Sequence, residues 1–178
     1  MNKVRVATIW LGGCSGCHMS FLDMDEWLID LADRIELTAS PISDLKEIPE
    51  VDVGIVEGTV CNDENIEVLR DLRSKCQTLV AIGDCAAYGG ISAMRNQYPL
   101  DEVYRRAYIE TESTMLGDVP GDGLLPELLE QARPIQEIVK VDAYIPGCPP
   151  SADNIRYALT ELLEGRIPVW TEDRIHYD

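Results

Sequence analysis

Six cysteines, at positions 14, 17, 61, 76, 85 and 148, are the residues of this 178-residue chain whose types and spacing could do chemistry. Cys14 and Cys17 form a local pair in "IWLGGCSGCHMSF" (Ile9–Phe21), where an apolar run gives way to a polar, helix-like pattern. Such a pair serves a zinc ion, a disulfide, a lipid anchor or an iron–sulfur cluster. The lipid reading draws on Leu11-Gly12-Gly13-Cys14, preceded by Lys3 and Arg5, which looks like a processing site; the apolar core before it is too short for a signal peptide. Without a signal the chain is expected in the cytoplasm. Disulfides are rare there, so the cysteines point to metal or redox chemistry.

The elements that must position them alternate between strand and helix. Val4–Leu11 reads as a strand ending in Gly12-Gly13. Cys17–Arg34 reads as one helix, with Phe21, Met24, Leu28, Leu31 and Ala32 on its apolar face. Ile35–Ala39 is a short strand, and Val51–Val60 is an apolar run of the kind buried parallel strands show. Asn62 caps a helix through Ser74 that has Ile66, Leu69 and Leu72 inward. Leu79–Gly83 is the next strand, Pro99–Glu110 is helical, and Thr111–Pro126 is a long Gly-, Pro- and Asp-rich loop. Val139–Ile145 is the last strand. After "PGCPP", Ser151 caps a helix with Ile155, Ala158, Leu159, Leu162 and Leu163 inward. This alternation predicts an α/β fold, a doubly wound parallel sheet of flavodoxin-like arrangement, built as a single domain over residues 1–178.

On that plan, five cysteines follow the carboxyl ends of strands, where a doubly wound fold builds its site. Cys76 instead continues the apolar face of Ile66, Leu69 and Leu72 and reads as packing. Four thiolates converging on one point could hold zinc or iron–sulfur. Structural zinc sites usually use two local knuckles, whereas here one pair is local and the rest arrive singly from distant strands. That favours a bulky cluster, with zinc left open. Helix starts near Cys17 and Ser151 are expected to point N–H groups at an anionic cluster.

Charge narrows the partners. With 32 acidic residues against 15 basic ones the net charge is −17, which repels nucleic acid and anionic membranes. No apolar stretch reaches the length needed to span a bilayer, so membrane insertion is not expected. Repeats and low-complexity segments are absent.

Four motifs, "GGCSGCHMSFLDMDE", "VEGTVCND", "AIGDCAAYGG" and "YIPGCPPSADNI", occur in this order. Together they resemble the small subunit of [NiFe] hydrogenases, most of all the short cytoplasmic type of the NAD-linked bidirectional enzymes. The resemblance runs from Val4 to about Leu163. It implies a flavodoxin-like fold binding one [4Fe–4S] cluster through Cys14, Cys17, Cys85 and Cys148. It also implies a nickel–iron centre in a partner large subunit rather than in this chain, and further iron–sulfur and flavin diaphorase subunits that carry electrons to NAD⁺. The chain itself would hold no catalytic residue and would not split hydrogen alone. Related quinone-reducing complexes use an adjacent Cys-Cys pair at the first position. The spaced "CSGC" here favours the hydrogenase reading over a respiratory NADH:quinone or ferredoxin-linked subunit. A four-cysteine zinc scaffold is the rival of another class.

The resemblance leaves Cys61 outside the ligand set, as a lining or partly buried thiol. Glu57 matches a glutamate kept near the cluster, where it would tune the cluster or pass protons; the plainer reading is a carboxylate satisfied by backbone N–H groups. His18 is expected either to hydrogen-bond a cluster sulfur or to sit exposed at a helix start. Asp23, Asp25 and Glu26 read as a solvated face, and His176 as part of a surface or interface tail. Trp10 and Tyr88, near strand ends, are candidates to stack on an FMN, which some relatives would hold; no phosphate-cradling signature accompanies them. The loop Thr111–Pro126 and the segment Tyr88–Met94 are the expected docking surfaces.

Overall fold

Side chains alternate across a strand, and this sequence makes both faces of its central strands apolar. In the computed structural model, which describes residues 3–45, 47–121, 123 and 125–175, those strands form one parallel sheet. The chain order is β1 (Val4–Trp10), α1 (Gly16–Leu22), α2 (Trp27–Arg34), β2 (Ile35–Ala39), β3 (Val51–Glu57), β4 (Val60–Asn62), α3 (Asp63–Lys75), β5 (Cys76–Ile82), α4 (Gly83–Tyr88), α5 (Leu100–Tyr108), β6 (Leu128–Arg133), β7 (Ala143–Ile145) and α6 (Ala152–Leu163). A 3-10 turn over Ile91–Gln97 follows α4, and a shorter one over Ile135–Glu137 follows β6.

The sheet order is β2-β1-β3-β5-β7, with every neighbouring pair parallel. Chain direction across the sheet reverses between β1 and β3, the place where a doubly wound fold opens a crevice at its carboxyl edge. One face packs Val6, Val53, Ile55, Val80 and Ile82 against α1, α2 and α6. The other packs Ala7, Val56, Leu79 and Ala81 against Leu69 and Leu72 of α3 and Ala86 of α4. The register Val6↔Val53, Val53↔Thr78 and Val80↔Ala143 keeps each set on one side. Cys76 opens β5 and is buried in the second cluster, so it is packing, as its spacing suggests.

The structure corrects several boundaries. The helix expected over Cys17–Arg34 is two helices, broken where Asp25 takes φ +49, a left-handed conformation that aspartate tolerates. Ala32, expected inward, is exposed. The Val51–Val60 run is likewise two strands. Gly58, at φ +90, turns the chain after Glu57, and a Cβ there would lie 2.9 Å from the Leu11 carbonyl carbon. β4 then leaves the main sheet and pairs antiparallel with β6, a strand that the polar "LLEQAR" pattern does not announce. The caps expected of Asn62 and Ser151 are present: their side chains accept from the Asn65 and Asn154 amides.

Candidate metal centre

Four cysteines arrive at the carboxyl edge from three segments. Cys14 comes from the β1–α1 turn and Cys17 from the first turn of α1, Cys85 from α4 after β5, and Cys148 from the loop after β7. Their proximity shows in their effect on one another. Burial pushes the Cys17 thiol well above its ordinary value, and Glu57, Cys14, Cys85 and Cys148 each push it further. Cys148 is raised by burial and then by Cys85, Asp84 and Cys14. A thiol raised in this way stays protonated until a cation offsets the crowded negative charge. The backbone comes in close. Gly83 sits at φ +82, and a Cβ on it would lie 2.3 Å from the Cys17 sulfur, so only glycine fits at the start of α4.

This donor set suits an iron–sulfur cluster. Four thiols arrive from three segments of the chain, and a cluster takes one thiolate at each of four irons.

Around them runs a frame of buried polar groups. Glu57, at the carboxyl end of β3, is 2% exposed. Its Oε1 accepts the Cys17 amide (3.2 Å), and its Oε2 accepts the His18 amide (3.0 Å). His18 Nδ1 lies 2.5 Å from the same Oε2. Burial alone would raise the Glu57 pKa. The hydrogen bonds from His18's ring and amide and from the Cys17 amide outweigh it and hold the carboxyl below its ordinary value. The first-turn amides of α1 therefore serve Glu57. The expectation that this helix start points at a cluster is corrected, and the reading of Glu57 as a carboxylate satisfied by backbone N–H groups describes its contacts.

His18 departs from both of its expectations. It is buried rather than exposed, and neither ring nitrogen is free for a sulfur, because Nε2 lies 3.0 Å from Thr8 Oγ1 and Nδ1 meets Glu57. Thr8 in turn donates to Ser40 (3.0 Å). Ser20 of α1 donates to the Pro150 carbonyl (2.5 Å), tying α1 to the Cys148 loop. The Thr59 hydroxyl lies 2.9 Å from the Cys85 carbonyl and 2.8 Å from that of Gly89. Asp84 reaches the Cys148 loop twice: its amide donates to the Gly147 carbonyl, and its Oδ1 accepts the Gly147 amide, both at 2.9 Å. Sequence reasoning missed Thr8, Ser20, Ser40, Thr59 and Asp84. Their partners lie many residues away along the chain, and no spacing marks them.

Cys61 lies inside β4 rather than in a loop. Its sulfur packs on Gly12, where a Cβ would come within 2.3 Å, and burial raises its thiol, with Arg95 opposing and Cys85 adding to the rise. Trp10 ends β1 and stands edge-on to the His18 ring, with centroids 5.3 Å apart. Tyr88 ends α4 rather than a strand and is exposed. Among the described residues the Trp10 ring pairs with His18 and not with Tyr88. Asp23, Asp25 and Glu26 are exposed, as a solvated face should be, and His176 lies outside the described residues.

Known proteins resemble this chain closely. The family described as NADH ubiquinone oxidoreductase, 20 Kd subunit, matches residues 14–162. The NAD-reducing hydrogenase HoxS subunit delta of Cupriavidus necator is 43% identical over 169 residues, covering 93% of this chain and 81% of that one. One subunit of the F420-non-reducing hydrogenase of Methanothermobacter thermautotrophicus is 42% identical over 169 residues; the match covers 92% of this chain and 54% of that longer one. The crystal structure of an NAD⁺-reducing [NiFe]-hydrogenase in the H2-reduced state contains a chain that superposes with a TM-score of 0.95 at 45% identity, covering 99% of this chain and 100% of that one. A [NiFeSe]-hydrogenase of Dm. baculatum shares the fold at 20% identity, with a TM-score of 0.63. The chain thus belongs to the NADH ubiquinone oxidoreductase 20 Kd subunit family, among the small subunits of NAD-linked [NiFe] hydrogenases.

Proposed function

We propose that this chain is the electron-transferring small subunit of an NAD-reducing [NiFe] hydrogenase, and that Cys14, Cys17, Cys85 and Cys148 hold one [4Fe–4S] cluster at the carboxyl edge of a single domain over residues 1–178. The observation that carries the reading is the arrival of these four cysteines at the carboxyl edge of one parallel sheet, in a chain 43% identical to a subunit of an NAD-reducing hydrogenase. When bound, the cluster accepts and releases single electrons. The protein's own part is to hold the thiolates, exclude water and set the local field. Burial of Cys17 and Cys85 keeps solvent from one side of the site. Glu57 fixes the first turn of α1, so that Cys17 leaves the helix in one direction.

Hydrogen would be split at nickel–iron in a large partner subunit, and electrons would leave through diaphorase subunits toward NAD⁺. The exposed apolar side chains of Tyr88, Ile91 and Met94, and of Met115 and Leu116 in the long loop, suit burial against those partners. A cytoplasmic location follows from the NAD⁺ acceptor; no described helix is long and apolar enough to cross a membrane. FMN has weaker support, since Trp10 is engaged with His18.

The test is the activity of the anaerobically purified assembly. Hydrogen-dependent reduction of NAD⁺ by the assembly, with none by this chain alone, is expected. Reduction of quinone or ferredoxin in place of NAD⁺ would move the chain to the respiratory or ferredoxin-linked alternative.

A further inference from the structure

The two cysteines that arrive singly pose a positioning problem that the local pair does not. Cys85 and Cys148 stand 63 residues apart, on segments following different strands. Between them lies one side chain that belongs to the first segment and grips the second. Asp84 precedes Cys85 and sits in the first turn of α4. An acidic residue there would ordinarily accept amides of its own helix. Its Oδ1 instead accepts the amide of Gly147, the residue before Cys148 (2.9 Å), while the Asp84 amide donates to the Gly147 carbonyl (2.9 Å). The result is a two-way link between the residues that precede the two isolated cysteines.

This link closes a ring of such ties. Glu57 holds α1 to the end of β3, Ser20 holds α1 to Pro150 beyond Cys148, Asp84 holds the Cys148 loop to α4, and Thr59 holds α4 back to the turn after β3. Every segment bearing a candidate ligand is therefore held by a side chain from a different segment. Three of the four holding residues, Glu57, Ser20 and Thr59, are buried. Asp84 is partly exposed, and it is the member that joins the two single cysteines.

We infer that Asp84 is a positioning residue for the cluster: its carboxylate sets the separation of Cys85 and Cys148 through Gly147, and so governs how firmly the cluster is retained. The inference rests on the ligand assignment proposed above. Orienting groups behind metal ligands typically change metal retention about 10- to 100-fold when removed.

Two substitutions separate position from charge. Asp84→Asn keeps an oxygen at the same reach and removes the charge. Asp84→Glu keeps the charge and moves the oxygen one methylene outward. Both should fold, since the backbone bond from residue 84 to Gly147 survives in each. The measurement is the rate of iron loss to a chelator, followed by absorbance, together with the EPR spectrum of the reduced assembly, purified anaerobically with its partner chains. Asp84→Glu is expected to lose iron about tenfold faster than the unsubstituted protein and to show an altered spectrum, with Asp84→Asn within about twofold. Equal rates in all three proteins would overturn the inference. So would the reverse order, because retention would then follow charge rather than reach. Absence of iron from the unsubstituted protein would instead overturn the ligand assignment beneath it.

Discussion

The carboxyl edge of the sheet and the segment from α5 through the long loop are built in opposite ways. At the edge, polar side chains are buried and each has a fixed partner: Glu57 with two amides and a ring nitrogen, Thr59 with two carbonyls, Ser20 with one. In the other segment several large apolar side chains, Tyr108, Ile109, Met115, Leu116 and Leu125, are exposed. α5 has no buried residue, and Met115 is 90% exposed. The edge resembles the interior of a protein turned toward one small object. The α5–loop segment resembles a surface whose burial is completed elsewhere. Chemistry needs atoms held in place, which buried hydrogen bonds provide; docking needs apolar area, which exposure provides.

Substitutions can break this contrast. The largest effect should come from Cys17→Ser, which removes a buried donor: cluster iron and the reduced-cluster EPR signal should fall to a small fraction of the unsubstituted values, read on one sample. Next, Glu57→Ala leaves the amides of Cys17 and His18 buried without an acceptor. Unfolding by urea should show a loss of about 3 kcal/mol, and a loss well under that would mean water or rearrangement replaces the carboxylate.

The amino end of the sheet offers a contrast, because a polar cluster there is stabilising and lies at the opposite end of the strands from the four candidate ligands. Burial would raise the Asp142 pKa, but hydrogen bonds from the Leu79 amide, Arg73 and Lys140 lower it from 3.8 to about 2. A carboxyl with a lowered folded pKa contributes stability above its unfolded value and loses it as pH falls through the folded one. Asp142→Asn should therefore cost about 1–2 kcal/mol at neutral pH. The difference between the two proteins should fade as pH drops from 3.8 toward about 2, when followed by denaturant titration. Its iron content should not change. The smallest effect belongs to the loop. Met115→Ser with Leu116→Ser should leave stability within about 0.5 kcal/mol while weakening co-purification of partner chains. A large loss of stability would show that the loop packs on its own domain.

Much of this architecture is legible in the sequence, for identifiable reasons. The central strands are apolar on both faces, and Asn62 and Ser151 mark their helices through local caps, so the doubly wound sheet follows from short-range pattern. The cysteines lie next to strand ends, so their convergence follows from the topology. What stays hidden depends on contacts across the fold. His18 reads as facing a cluster sulfur or as exposed, and its sequence neighbours do not announce the ring contacts to Thr8 and Glu57 that bury it. The break in the first helix rests on the backbone conformation of Asp25, and β6 forms only because β4 offers it an edge. Asp84 looks like any acidic residue at a helix start; its partner is 63 positions downstream.

The central claim is that Cys14, Cys17, Cys85 and Cys148 hold a single cubane cluster. The most direct test is EPR of the dithionite-reduced protein, purified without exposure to air, with iron and zinc counted on the same sample. About four irons per chain are expected, with a reduced-cluster signal that Cys14→Ser or Cys148→Ser abolishes. One zinc and no iron, in protein never exposed to air, would contradict it and make the four cysteines a structural clip.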